Sequence, residues 1–302
     1  IGDIVPDEQQ DLAFTISSVL IGLGSIITNL IGGIAYFIDS KEYQDQSVTI
    51  ILITCSIIII VSLLITVFSA KEQQFTGELE DTNVFKKLFK AITNMSKPMS
   101  RAALMLTISW VGFYSFLIKE TTFFSIEVFP EGEANKGLCF GLFVTAVVNT
   151  LTFIYGLFHM KFMELVGMKA AYSISHFIMA ICFGATLFTR NRWVLLCIFA
   201  PVGIANTVFH SVPFSVTSAA SKKSEIGINL GAMNVFLVLG QQITNFINIF
   251  VALAWENWPW LQKQVGKNQL YIGFGSVGSL VAGFLSFLLI VPGTSDEYRA
   301  LD

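Results

Sequence analysis

Residues 102–126 read AALMLTISWVGFYSFLIKETTFFSI. Between Arg101 and Lys119 there is no charged side chain. A bilayer's hydrocarbon core, about 30 Å thick, is crossed by a helix of about 20 apolar residues, so this stretch has the length and character of a membrane span. It is continuous, not alternating over about ten residues, which favours a helix over a barrel strand. Seven further stretches meet the same standard. The eight spans lie near residues 12–38, 48–69, 102–126, 137–159, 170–188, 193–219, 227–255 and 270–291, and several are long enough to require tilt. Composition agrees: of 302 residues, 54% are hydrophobic and 13% charged, about half the charged share of an ordinary soluble domain. The fold class is all-α, a polytopic transmembrane helical protein surrounded by the lipid bilayer.

Several functions are excluded by what the chain does not carry. The net charge of −3 and the lack of a basic, aromatic-interleaved patch argue against a nucleic-acid partner. Cys55, Cys139, Cys182 and Cys197 lie scattered in apolar segments with no Cys-x-x-Cys spacing, so neither a zinc site nor a disulfide framework is indicated. His159, His176 and His210 are likewise isolated. No phosphate-binding loop, nucleophile elbow or His-Glu-x-x-His motif is present, and the GFGSVG stretch sits inside a span without a preceding soluble strand. The reading is of a non-enzyme with no cofactor and no metal. The chain opens on the acidic IGDIVPDEQQD, which lacks the basic start and apolar centre of a signal peptide. It reads as a loop between helices, so a longer parent chain is expected.

The connections are uneven. Residues 70–101 form a long polar loop that contains NVFKKLFKAITNMSK, a segment able to lie on the membrane surface as an amphipathic helix. Lys and Arg counted over alternate loops set the orientation. One side carries Lys71, Lys86, Lys87, Lys90, Lys97, Arg101, Lys161, Lys169, Lys222, Lys223 and Arg299; the other carries Lys41, Lys136, Arg190, Arg192, Lys263 and Lys267. The richer side, with the long loop and the C-terminus, is expected to be cytoplasmic, in the plasma membrane or an internal one. Asn94-Met95-Ser96 matches the glycosylation pattern but lies on that inner side, so no glycan is expected. Small residues recur in the first and last spans, among them Gly22, Gly24, Gly32, Gly33, Gly273, Gly275, Gly278 and Gly283; close helix packing accounts for them.

Polar groups inside spans are costly and mark candidate sites. Three places carry them. Lys119 and Glu120 lie about 25 Å along the third span at 1.5 Å per residue, in its outer third, and point about 100° apart on a helix; either snorkels to the interface or faces a cavity. In GIANTVFHSVPFSV, Asn206 and His210 share a helix face, and Pro213, well inside the span, is expected to kink it as transporter helices are kinked near a cavity. In GINLGAMNVFLVLGQQITNFIN, Asn234, Gln241, Asn245 and Asn248 fall on one stripe. Amides there suit either a sugar's hydroxyls or hydrogen bonds between spans.

These segments resemble the sucrose/proton symporter-like branch of the glycoside–pentoside–hexuronide:cation symporters, within the major facilitator superfamily. That branch's seventh helix reads in outline W-I-x-W-F-P-F-L-x-x-D-T-D-W-x-G-R-E-V-Y; residues 110–129 here read WVGFYSFLIKETTFFSIEVF without a gap. The tenth-helix pattern L-G-I-P-x-A-x-x-x-S-I-P-F is similar to VGIANTVFHSVPF, the following G-L-x-L-G-V-L-N-L…P-Q to GINLGAMNVFLVLGQ, and the early F-S-F-F-M-x-x-G-N to FTISSVLIGLGS. The matches are collinear and cover most of the chain.

The resemblance implies that the eight spans are helices five to twelve of a twelve-helix transporter. Residues 1–69 would close its N-terminal half, 70–101 form the central cytoplasmic loop, 102–292 the six-helix C-terminal half and 293–302 a cytoplasmic tail. It implies sugar transport, of sucrose or related glycosides, as proton symport by alternating access. The substrate and proton pathway would be lined by Glu120, Lys119, Thr122, Glu127, Asn206, His210, Pro213, Asn234 and Gln241. Three family charges fall on Glu120, Thr122 and Ile126, of which only Glu120 keeps a charge. The tenth-helix proline becomes Ala205. The lost charges favour an alternative, a non-transporting membrane sensor or scaffold of the same fold.

Overall fold

In a computed structural model of the protein, the described residues are 9–38, 40–69 and 83–292. The acidic opening, the first part of the long loop and the tail from 293 onward lie outside them. The helices are α1 (Gln10–Gly33), α2 (Lys41–Ser69), α3 (Val84–Thr93), α4 (Lys97–Phe123), α5 (Ala134–Val166), α6 (Met168–Ala185), α7 (Arg192–Phe199), α8 (Val202–Ala219), α9 (Ile226–Asn257), α10 (Pro259–Gln264) and α11 (Lys267–Leu285). Among the described residues, eight helical stretches are long and apolar enough to cross a membrane, and they fall on the eight expected segments.

The differences lie at the ends, and each has a local cause. α4 starts at Lys97, earlier than its apolar run, because Pro98 occupies the first turn, where its missing N–H costs no hydrogen bond. α5 runs past its apolar run to Val166 and stops at Gly167, whose φ of +85° is left-handed and favours glycine. α4 passes into a π-helical turn over Phe124–Val128, closed by Phe129 N donating to Phe124 O at 3.1 Å. That turn, invisible to hydropathy, aims Glu127.

α8 continues as a helix through Pro213, and the sixth span is interrupted at Pro201, between α7 and α8. Pro213 removes one backbone donor, and the helical turns persist around it in a helix packed against α5, α1, α4 and α6. At Ala200–Pro201 the chain turns with Gly203 N donating to Ala200 O and Ile204 N to Pro201 O.

α4 is the hub: α11, α9, α8 and α5 pack around it, and α1 lies along α5 and α8. Close approach needs small residues. A Cβ added at Gly278 would lie 2.7 Å from Gly112 N and 2.9 Å from Gly112 Cα, so α4 and α11 cross backbone to backbone. Gly24, by contrast, faces open space. α2 leans on α1 and α5, yet none of its apolar centre is buried, as suits a helix wetted by lipid. α3 forms as a helix within the long loop, capped by Asn83 accepting from Phe85 N at 3.0 Å. Phe85 and Phe89, one turn apart, are exposed.

Candidate functional site

Helices α1, α4, α5 and α8 enclose a cavity of about 370 Å³, within the size range of small-molecule sites. α4 presents Trp110, Phe113, Phe116 and Glu120 to it, a set spaced three or four apart along one helix face. α8 adds Asn206 and His210, α5 adds Thr145 and Asn149, and α1 adds Ser25 and Asn29, each pair four residues apart.

Glu120 is 3% exposed. Thr145 Oγ1 donates to its Oε2 at 2.8 Å, while Oε1 is buried without a hydrogen-bond partner. Asn206 Nδ2 donates to Thr152 Oγ1 at 3.2 Å, and its Oδ1 is also buried and unpartnered. Trp110 Nε1 is a third such atom. Leaving a buried polar group unpaired costs about 1–3 kcal/mol, so native structures seldom do it without a reason. Here three belong to residues around one cavity. Two are acceptors and one is a donor, beside the rings of Phe113, Phe116 and Trp110.

The walls are held firmly. Thr207 Oγ1 donates to Thr152 O at 2.9 Å, and Ser211 Oγ and His159 Nε2 share a hydrogen bond of 3.2 Å, tying α8 to α5 at Asn206 and one turn beyond it. The His210 and Trp110 rings meet edge to face at 5.6 Å. One end of the α1–α8 contact is latched: Ser218 Oγ donates to Gln10 Oε1 at 2.9 Å, and Ser215 Oγ donates to Asp11 Oδ1.

Of the nine expected pathway residues, the structure brings Glu120, Asn206 and His210 together. Lys119 turns to another face of α4, its Nζ 5.2 Å from the Tyr271 ring centroid, so the adjacent charges do not pair. Thr122 is half-buried and lines neither this cavity nor the one beside Lys119. Glu127 caps α11: it accepts from Asn268 N at 2.6 Å, Asn268 Nδ2 at 2.9 Å and Gln269 N at 3.1 Å. Pro213 is buried in α8 and accepts from Thr217 Oγ1 at 2.8 Å. Asn234 is exposed and Gln241 half-buried, and neither lines the cavity. These two sit about a quarter turn from the packed face of α9, which is marked by Met233, Gly240, Thr244 and Val251 and reaches Asn248 of the same stripe.

Among the cavity residues that sequence reasoning missed are Trp110, Thr145, Asn149, Ser25 and Asn29. A signal existed for the last four, since each pair is a polar i, i+4 couple inside an apolar run. Trp110 carries no such signal, because a tryptophan within an apolar span is ordinary.

The model of the family described as Major Facilitator Superfamily matches residues 1–244. Sucrose transport protein SUT5 of Oryza sativa subsp. indica is 23% identical over 232 residues, covering 63% of this chain and 43% of that protein. Sucrose transport protein SUT1 of Oryza sativa subsp. japonica is 24% identical over 285 residues, covering 79% of this chain and 51% of that protein. Sucrose transport protein SUT2 of Oryza sativa subsp. indica is 21% identical over 268 residues, with 77% and 51% covered. The chain spans about half the length of the relatives it matches. With eight apolar membrane-length helices, no strand among the described residues and a family model that matches most of its length, the chain is an integral membrane protein and belongs to the major facilitator superfamily.

Proposed function

We propose that the protein carries a sugar, sucrose or a related glycoside, across the membrane in symport with protons. The observation that supports this most is the trio of buried, unpartnered polar atoms on Glu120, Asn206 and Trp110 around one cavity. Each sugar hydroxyl donates one hydrogen bond and accepts others, so two hydroxyls of one sugar satisfy the two oxygens and accept from the indole N–H, while the C–H faces of the ring rest on aromatic side chains. The names of the relatives point the same way.

Glu120 is the coupling group in this reading. Its carboxylate is sealed from bulk water and bonded by one hydroxyl, so proton uptake and release there are tied to opening of the cavity. Lys119, facing elsewhere, plays no part in that step. Thr122 and Ile126 carry no charge, which leaves Glu120 alone to exchange the proton on this helix. The Asp11–Ser215 and Gln10–Ser218 contacts act as the gate on the cytoplasmic side, where the lysine-rich loop and C-terminus lie, and alternating access opens it.

Proteoliposomes tested with radiolabelled sucrose and other glycosides provide the test. Uptake is expected to rise with an inward proton gradient, and Glu120→Gln to abolish that dependence, because a carboxamide exchanges no proton. Folded protein that takes up none of these sugars would overturn the transport reading in favour of a sensor or scaffold. Unchanged pH dependence in Glu120→Gln would remove Glu120 as the proton site.

A further inference from the structure

A second cavity, of about 350 Å³, lies between α4, α9 and α11. It is lined by Lys119, Asn245, Asn248 and Tyr271, on a different face of α4 from Glu120. Two features there call for an anion. Lys119 Nζ rests over the Tyr271 ring and forms no ion pair among the described residues. Asn248 is 8% exposed; its Oδ1 accepts from Ser115 Oγ at 3.1 Å, and its Nδ2 is buried and donates to nothing. The acids nearby are already engaged. Glu256 Oε1 bonds Lys267 Nζ at 2.7 Å, and both oxygens of Glu127 are taken by the first turn of α11. An ammonium and an amide N–H therefore border a cavity without a counter-charge.

The depth and the rim say what kind of anion. Tyr271 stands four residues into α11, about 6 Å along its axis. Trp255, Trp258 and Trp260 cluster at the same end, at the close of α9 and the start of α10, as tryptophans do at the headgroup level. The outer wall is apolar and open: Ile249 and Leu253 line the cavity and are 55% and 49% exposed. That runs a polar pocket from Tyr271, near headgroup depth, down to Asn248, about 13 Å before the end of α9, against a greasy, uncovered helix face.

We propose that this cavity binds the phosphate of an anionic membrane lipid. The phosphate sits on Lys119 Nζ and Asn248 Nδ2, and an acyl chain runs along Ile249 and Leu253 of α9. Lys119 is thereby a lipid ligand, and its presence next to Glu120 in the sequence is a consequence of two sites sharing one helix.

The test is native mass spectrometry of the purified protein in neutral detergent, with phosphatidylglycerol or phosphatidylcholine added at equal concentration. Phosphatidylglycerol is expected to be retained in preference. Lys119→Gln is expected to weaken its binding about fivefold, the worth of one basic contact at an anionic surface, Asn248→Ala to weaken it also, and Lys119→Arg to restore it. Equal retention of the two lipids by the unaltered protein would overturn the proposal, whether or not the variants fold. So would unchanged phosphatidylglycerol binding in folded Lys119→Gln. Inorganic phosphate alone occupying the site in a Lys119-dependent manner would assign it to a soluble anion and overturn the lipid reading.

Discussion

Glu127→Gln tests whether the carboxylate after the π-helical turn fixes the start of α11. Glu127 accepts three hydrogen bonds there, two of them from the backbone N–H groups of Asn268 and Gln269. Helix first turns have no internal partners for these donors. Gln keeps one oxygen and replaces the other with an NH2 group that faces donors. The loss is about one charge-assisted hydrogen bond, about 1.5–3 kcal/mol, together with about 0.3–1 kcal/mol of favourable charge at a helix N-terminus. Glu127 is only half-buried and solvent screens part of this, so about 2 kcal/mol is expected for local opening. That is about a thirtyfold rise in the open fraction at 1.4 kcal/mol per decade. Hydrogen exchange followed by mass spectrometry reads it directly. The peptide covering residues 266–272 is expected to exchange about thirtyfold faster, with the centre of α5 unchanged. Unaltered protection of Asn268 and Gln269 would refute the capping role.

Other consequences follow from the packing and the gate. Gly278→Ala forces a Cβ against the Gly112 backbone and is expected to destabilise by about 1–3 kcal/mol. Gly24→Ala meets open space and is expected to leave stability equal or about 0.5–1 kcal/mol higher; thermal unfolding in detergent compares the two, and similar losses would contradict the packing. A cysteine pair at Asp11 and Ser215, with the exposed Cys197 replaced by Ser, is expected to stop uptake when oxidised and recover it when reduced. Full uptake by the cross-linked protein would mean that this contact does not open in the cycle.

The spans were legible because hydropathy over about 20 residues is a coarse signal that no tertiary detail disturbs, and all eight segments are helical. The interior of the site was legible only where a polar residue had to be buried. Glu120, Asn206 and His210 stood out for that reason. Asn234 and Gln241 looked equivalent to them, but a stripe of amides is broad: its Asn248 end is buried, whereas Asn234 and Gln241 lie about a quarter turn from the packed face of α9. The break at Pro201 and the π-helical turn at Phe124–Val128 leave no periodic trace. Trp110, Thr145 and the unpartnered atoms needed three-dimensional placement, since a missing hydrogen bond cannot be read from one chain segment.

The most direct measurement is equilibrium binding of radiolabelled glycosides to the purified protein and to Trp110→Phe and Asn206→Leu. Trp110→Phe deletes the indole N–H and keeps an aromatic ring; Asn206→Leu deletes the open acceptor at similar volume. Each removes one hydrogen bond to a sugar hydroxyl, and a net bond of about 0.5–1.5 kcal/mol corresponds to a loss of about two- to tenfold in affinity. The account predicts saturable sugar binding that weakens by that amount in both variants while the fold is kept. Affinity unchanged in both folded variants, or no binding of any glycoside by the unaltered protein, would contradict it.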